Sequence, residues 1–207
     1  MSAIIQSGAT SDLLTIDPTS KAARSTLYDS AGRELSFHGK QTFVATTGTF
    51  SPPATPTDMA TITGSATKTV RVLAVYFAST QTTYGTNTIF LTKRSTANSG
   101  GISSAITVVP LDSGNASGTA TVASYTANPT TGSLVGNINT KRVVSPVVTT
   151  TSMQSDLGTD MLPQPRGGLL EQPVILRGTG EVLAVNFGGA SLPSGLSVTV
   201  TFLWTEE

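Results

Sequence analysis

The feature that most constrains this chain lies near its end, where residues 197–204 alternate apolar and polar at every position but Leu203. Val198, Val200, Phe202 and Trp204 fall on one side; Ser197, Thr199 and Thr201 fall on the other. A period of two sends successive side chains to opposite faces of an extended strand, whereas a helix would scatter the same residues around its circumference. The run predicts a strand with one buried and one solvated face, with Trp204 in the core. The rest of the chain is compatible with many more such strands. It holds 36 Thr and 24 Ser among 207 residues, and only 12% of its residues are charged, against about 25% in ordinary soluble proteins. Thr is β-branched and suits strands, while Ser and Gly suit turns.

Strand signals recur at short spacing beyond residue 60. Residues 69–78 are apolar on both sides: Val70, Val72, Ala74 and Tyr76 point one way, Leu73, Val75 and Phe77 the other. That pattern predicts a central strand, or one whose second face meets another subunit. Residues 87–92, 104–109, 119–126, 134–138, 142–148, 173–177 and 181–187 read as further strands. Turn clusters such as Asn98-Ser99-Gly100-Gly101 and Asp112-Ser113-Gly114-Asn115 separate them. Gly178-Thr179-Gly180, between the last two of these, predicts a hairpin. Roughly eight to ten strands with no convincing helix predict an all-β, antiparallel β-sandwich, jelly-roll-like by size, with a strand order that the pattern does not encode.

Residues 1–40 read differently. Apolar residues are sparse and both charge signs are interspersed, with short extended pieces at 13–16 and 25–28. Such a segment cannot build its own core, which predicts an extended arm (1–40) resting on a neighbouring surface, followed by the sandwich domain (41–207). Residues 153–168 also break the alternation; they hold Asp156, Asp160, Pro163, Pro165 and Arg166. A loop of this length predicts either a partner contact or a surface crossover between sheets.

The residues argue against several functions. Net charge is zero and the Lys and Arg residues are scattered, so no phosphate-neutralising surface forms and no direct nucleic-acid binding is expected. No apolar run is long enough to span a membrane. With no cysteine there is no disulfide and no thiolate metal site. His38 is the only histidine and reads as an ordinary junction residue; no G-x-S-x-G elbow accompanies it, and one His without Cys does not make a zinc site. Asp156 and Asp160 share a loop and offer the remaining acid–base route, a carboxylate pair, but twelve acids supply such pairs by chance. Arg177-Gly178-Thr179-Gly180-Glu181 lacks the Walker lysine and lies between strands, so it reads as a turn. Asp112 and Asn115 could bind calcium but read better as a plain polar turn. No enzyme activity, catalytic residue, cofactor or metal is expected.

Two stretches carry a resemblance. SDLLTIDPTSKAARSTLYDSAGREL, residues 11–35, resembles the opening segment of many bacteriophage virion proteins, where an IDPTSKAARxTLYD-like phrase precedes a variable domain. KRSTANSGGISSAITVVPLDSGNASGTATVASYTANP, residues 93–129, is similar to a recurring segment of phage structural proteins. In that segment a His often precedes the Asp that aligns with Asp112; here the position is Leu111. The resemblance implies a virion component made in the host bacterial cytoplasm. The leading expectation is a capsid decoration, cement or head-fibre protein, a homotrimer that binds and stabilises the major capsid protein shell. A tail, baseplate or tail-fibre subunit touching host glycans is the alternative. The apolar residues of the polar arm, Leu13, Leu14, Ile16, Leu27 and Tyr28, are then the candidate contacts to the capsid or to neighbouring copies.

Overall fold

The computed structural model describes residues 15–16, 23–24, 40–145, 147, 159–162, 172–188 and 192–207. The chain divides into two units, Met1–Gly39 and Lys40–Glu207. In the first, strand β1 (Thr15–Ile16) pairs antiparallel with β2 (Ala23–Arg24). The extended piece expected at 25–28 lies outside the described residues.

Among the described residues of the second unit every helix or strand element is a strand. They are β3 (Thr42–Thr46), β4 (Asp58–Thr63), β5 (Val70–Thr80), β6 (Thr86–Arg94), β7 (Ile102–Ile106), β8 (Val109–Pro110), β9 (Thr121–Ala127), β10 (Leu134–Val144), β11 (Thr159–Leu162), β12 (Val174–Leu176), β13 (Val182–Gly188) and β14 (Ser197–Glu206). They form two antiparallel sheets. One runs β8-β3-β14-β5-β11, with β12 also on β5; the other runs β10-β6-β13-β4-β9-β7.

The pairing is nested. β3 pairs with β14, β4 with β13, β5 with β12, and β6 with β10. The chain thus folds back as one long hairpin whose successive strands alternate between the sheets, which is jelly-roll connectivity. β7, β8 and β9 are an insertion between β6 and β10.

Between the sheets lie Trp204, Phe43, Phe77, Phe202, Met59, Ile62, Leu91 and Leu183, all essentially without exposure. Phe43 and Trp204 stack with centroids 5.9 Å apart, and Phe77 meets Phe187 edge-on at 6.5 Å. Burying a side chain of this kind stabilises by about 1.5–3 kcal/mol. The expected inner face of β14 is the observed one: Val198, Val200, Phe202 and Trp204 all point into this core.

The double-sided apolar pattern of β5 has a specific cause. β5 is a central strand, between β14 and the β11 and β12 strands. Its register with β14 jumps from Leu203 opposite Ala74 to Trp204 opposite Val72, leaving Leu73 unpaired. This bulge shifts the side-chain phase by one residue. Val70 and Val72 before it, and Val75 and Phe77 after it, all face the core, while Leu73 and Tyr76 are only half-buried.

Four expectations are corrected. Residues 104–109 are not one strand: Ile102–Ile106 (β7) and Val109–Pro110 (β8) join different sheets. Residues 134–138 and 142–148 are not two strands: β10 is continuous from Leu134 to Val144. Gly178-Thr179-Gly180 is not a hairpin, because β12 belongs to one sheet and β13 to the other. It is an arch between sheets, with Gly178 at φ 66° and the Arg177 amide donating to Glu181 Oε2 at 2.8 Å. Alternation in two flanking strands shows which side of each is apolar, not which sheet each joins. Within 153–168, residues 159–162 form β11 on β5; Asp156, Pro163, Pro165 and Arg166 lie outside the described residues.

Candidate interaction surfaces

The second sheet has a covered outer face. Along β13, Leu183, Val185 and Phe187 point into the sandwich, so Val182 and Ala184 point away from it, yet both are buried. Thr61 and Thr92 are buried beside them. Topology supplies the cover. β6 lies beside β13 while β7 lies outside β9, and β10 lies outside β6. The connectors 95–101 and 128–133 must therefore cross from one side of β13 and β4 to the other. They cross as a pair: the Ser95 amide donates to Ser133 O at 2.9 Å, and Ser99 and Thr130 exchange backbone bonds at 3.0 and 2.8 Å.

A buried ion pair ties this crossing to the sheet. Arg94 Nε and Nη2 donate to Asp58 Oδ2 and Oδ1 at 2.6 and 2.7 Å, and neither residue has appreciable exposure. Asn98 on one connector donates to Asp58 Oδ2 at 2.8 Å, and Asn186 on β13 donates to Oδ1 at 2.6 Å. Arg94 Nη1 donates to Gly132 O at 2.9 Å on the other connector, whose amide returns a bond to Asn98 Oδ1 at 2.9 Å. Four donors saturate the carboxylate, the condition under which a buried pair is tolerated. The approach requires glycine at 132, where a Cβ would sit 1.8 Å from the Thr96 carbonyl oxygen.

One end of the sandwich is held by the last two residues. Glu206, at the end of β14, is buried. Its carboxylate accepts from the Thr119 amide at 2.9 Å, the Ala120 amide at 2.9 Å, the Thr119 hydroxyl at 2.7 Å and the Trp204 indole at 3.0 Å. Burial pushes this carboxyl upward, but those hydrogen bonds outweigh it and hold it below its ordinary value. Glu207 is likewise held down, against burial, by Lys40 and Arg71; it bonds Lys40 and lies 3.1 Å from Arg71 Nε.

At the opposite end the described polar side chains form an uncharged hydrogen-bond cluster. Gln81 is buried, and its Nε2 donates to Gly85 O and Ser145 O, both at 3.0 Å. Asn87 Nδ2 donates to Ser145 Oγ at 3.2 Å, which lies 2.6 Å from Ser79 Oγ. The Thr82 hydroxyl donates to Ser194 O at 2.8 Å. On this base stands Tyr84, 75% exposed.

A third surface is the edge strand β10. Leu134, Val135, Ile138 and Val144 are exposed along it. Its register with β6 shifts between Leu134 and Gly136 and again between Asn137 and Asn139, so Val135 and Ile138 are the extra residues of two bulges. Bulges hinder edge-to-edge pairing with another strand; here they also place apolar side chains outward.

Of the candidate contacts, Ile16 lies in β1, opposite Ala23. Leu13, Leu14, Leu27 and Tyr28 lie outside the described residues, as do His38 and Asp156. Asp112 closes a polar turn: its Oδ1 accepts from the Gly114 amide at 2.9 Å and its carbonyl from the Asn115 amide at 3.0 Å. Among the described residues no cluster of three or more His, Cys, Asp or Glu side chains could hold a metal ion. Sequence reasoning missed Asp58, Arg94, Glu206 and Tyr84. The scarcity of charge was the available signal, since a charged residue inside a strand of so neutral a chain needs a partner. The spacing of 36 residues between Asp58 and Arg94 could not name it. No protein-family model, curated protein or solved structure matches the chain.

Proposed function

We propose that this protein is a structural, non-enzymatic component of a bacteriophage virion: a capsid decoration, cement or head-fibre protein that assembles as a homotrimer and stabilises the major capsid shell. The observation that carries the reading is the pair of virion-like segments, residues 11–35 and 93–129. The second falls on the insertion that crosses the outer face of the sandwich, from the end of β6 through β9. Physical features support the reading. Zero net charge removes self-repulsion between copies. An N-terminal segment bearing Leu13, Leu14, Ile16, Leu27 and Tyr28 can lie on a neighbouring surface, and weak contacts repeated around a particle sum to strong attachment.

The test is heat stability of the particle. Particles assembled without the protein should release their genome several degrees below complete ones, and adding back the purified chain should restore the difference. Unchanged release, with no rebinding of added protein, would overturn the reading. Tyr84 favours a second reading, a baseplate or tail-fibre subunit in contact with host glycans.

A further inference from the structure

We propose that the loop joining β5 to β6 is a contact site for a neutral glycan, with the Tyr84 ring as its stacking platform.

Tyr84 stands apart from its surroundings. It is the only aromatic among the exposed large apolar side chains of the described residues; Tyr125 is buried and Tyr76 half-buried. A ring standing in water contributes little to folding and is open to a ligand. The loop beneath it is fixed rather than loose. Gln81 fastens the Gly85 carbonyl and Ser145 from below, and Thr82 is bonded to Ser194. Pro193 lies against Gly85, 3.3 Å from where a Cβ would stand. A ring carried on a fixed loop loses little freedom on binding, and a tyrosine brings a large amphipathic surface with only two side-chain torsions.

The chemistry of the loop points to the ligand. Thr82, Thr83, Thr86 and Ser194 are exposed on it and beside it, and no charged residue occurs in 81–92 or 192–204. On the neighbouring strand β10, exposed Val144 lies opposite Thr86 and exposed Arg142 opposite Thr88. A pyranose presents an apolar C–H face to a ring and a rim of hydroxyls to hydroxyl side chains. A sulfated or acidic polymer, or a nucleic acid, would require several Lys or Arg on the loop itself, and a protein partner held by burial would require a contiguous apolar patch larger than one ring and Val144.

The Tyr84 loop follows the end of β5 remote from Glu207; the binding site stands on this loop and does not rest on the shell reading.

The experiment is affinity electrophoresis of the full chain through gels containing dextran, mannan or galactan, with heparin and polygalacturonate as charged controls. At least one neutral polymer should retard the chain and neither charged polymer should. Tyr84→Ala should weaken retardation about tenfold, the loss of roughly one stacking contact, while Tyr84→Phe should keep most of it. No retardation by any neutral polymer, retardation only by the charged ones, or retardation unchanged in Tyr84→Ala would overturn the proposal. The side chain is exposed, so unfolding temperature should not move in either variant. Particle incorporation of Tyr84→Ala, measured in parallel, should be normal, which separates failure of this site from failure of the virion reading.

Discussion

The two sheets share one core but differ on their outer faces. On the first sheet the outer face of β14 carries a ladder of hydroxyls: Thr201 meets Thr46 at 3.0 Å and Thr199 meets Thr49 at 3.3 Å, with Thr46 and Thr49 exposed and Thr199, Thr201 and the adjoining Leu203 half-buried. On the second sheet the outward positions Val182, Ala184, Thr61 and Thr92 are buried under the crossing connectors, and the ion pair Asp58–Arg94 is buried with them. A face left in water can be built from small polar residues with little at stake. A face covered by irregular chain must satisfy every polar group that the cover brings, which is why scarce charges are spent there.

The largest expected effect follows from that contrast. Asp58→Ala leaves the Arg94 guanidinium buried without its partner and should cost about 3–5 kcal/mol in chemical denaturation. A loss no larger than that of a surface substitution would mean that the covered face tolerates an unpaired charge as an open face does. Next, Gly132→Ala drives a methyl group into the Thr96 carbonyl and should cost about 1–3 kcal/mol, with increased hydrogen exchange in connectors 95–101 and 128–133 rather than across β14.

Glu206→Gln should cost about 1–2 kcal/mol at neutral pH by removing charge-assisted bonds to Thr119, Ala120 and Trp204. The folded-state carboxyl lies below its ordinary value. Its stabilisation is therefore complete above the unfolded value, about 4.3, and declines as pH falls from there through the folded value. Denaturation midpoints of the two proteins should accordingly converge in acid. A gap that widened as pH fell would contradict this. At the small end, Thr201→Val on the open ladder should stay within about 0.5 kcal/mol.

The sequence's legibility follows the same division. β14 has one dry face and one partly solvated face, so its alternation survives at every position from Ser197 to Trp204 but Leu203. β4, Asp58-Met59-Ala60-Thr61-Ile62-Thr63, is buried on both faces; its residues do not alternate, and it was not anticipated. β5 was recognised as a strand, but the bulge at Leu73 merged two phases of one apolar face into an apparent pair of faces. Turn residues announced the Gly178 arch without disclosing that it joins different sheets, because sheet membership depends on pairings with β5 on one side and with β4 and β6 on the other. The buried pair Asp58–Arg94 was invisible for the same reason: it is made by the crossing, a long-range event that no local pattern records. Tyr84 was overlooked because composition reports that aromatics are few, not where one stands.

The proposed role makes this sandwich a repeated component of the shell. Counting this chain against the major capsid protein in purified particles by quantitative mass spectrometry is the decisive test. The predicted result is a ratio near about one or a simple fraction such as about one third, as shell symmetry requires. A ratio of about a few per cent or less would contradict the shell assignment and move the protein to the tail or a unique vertex.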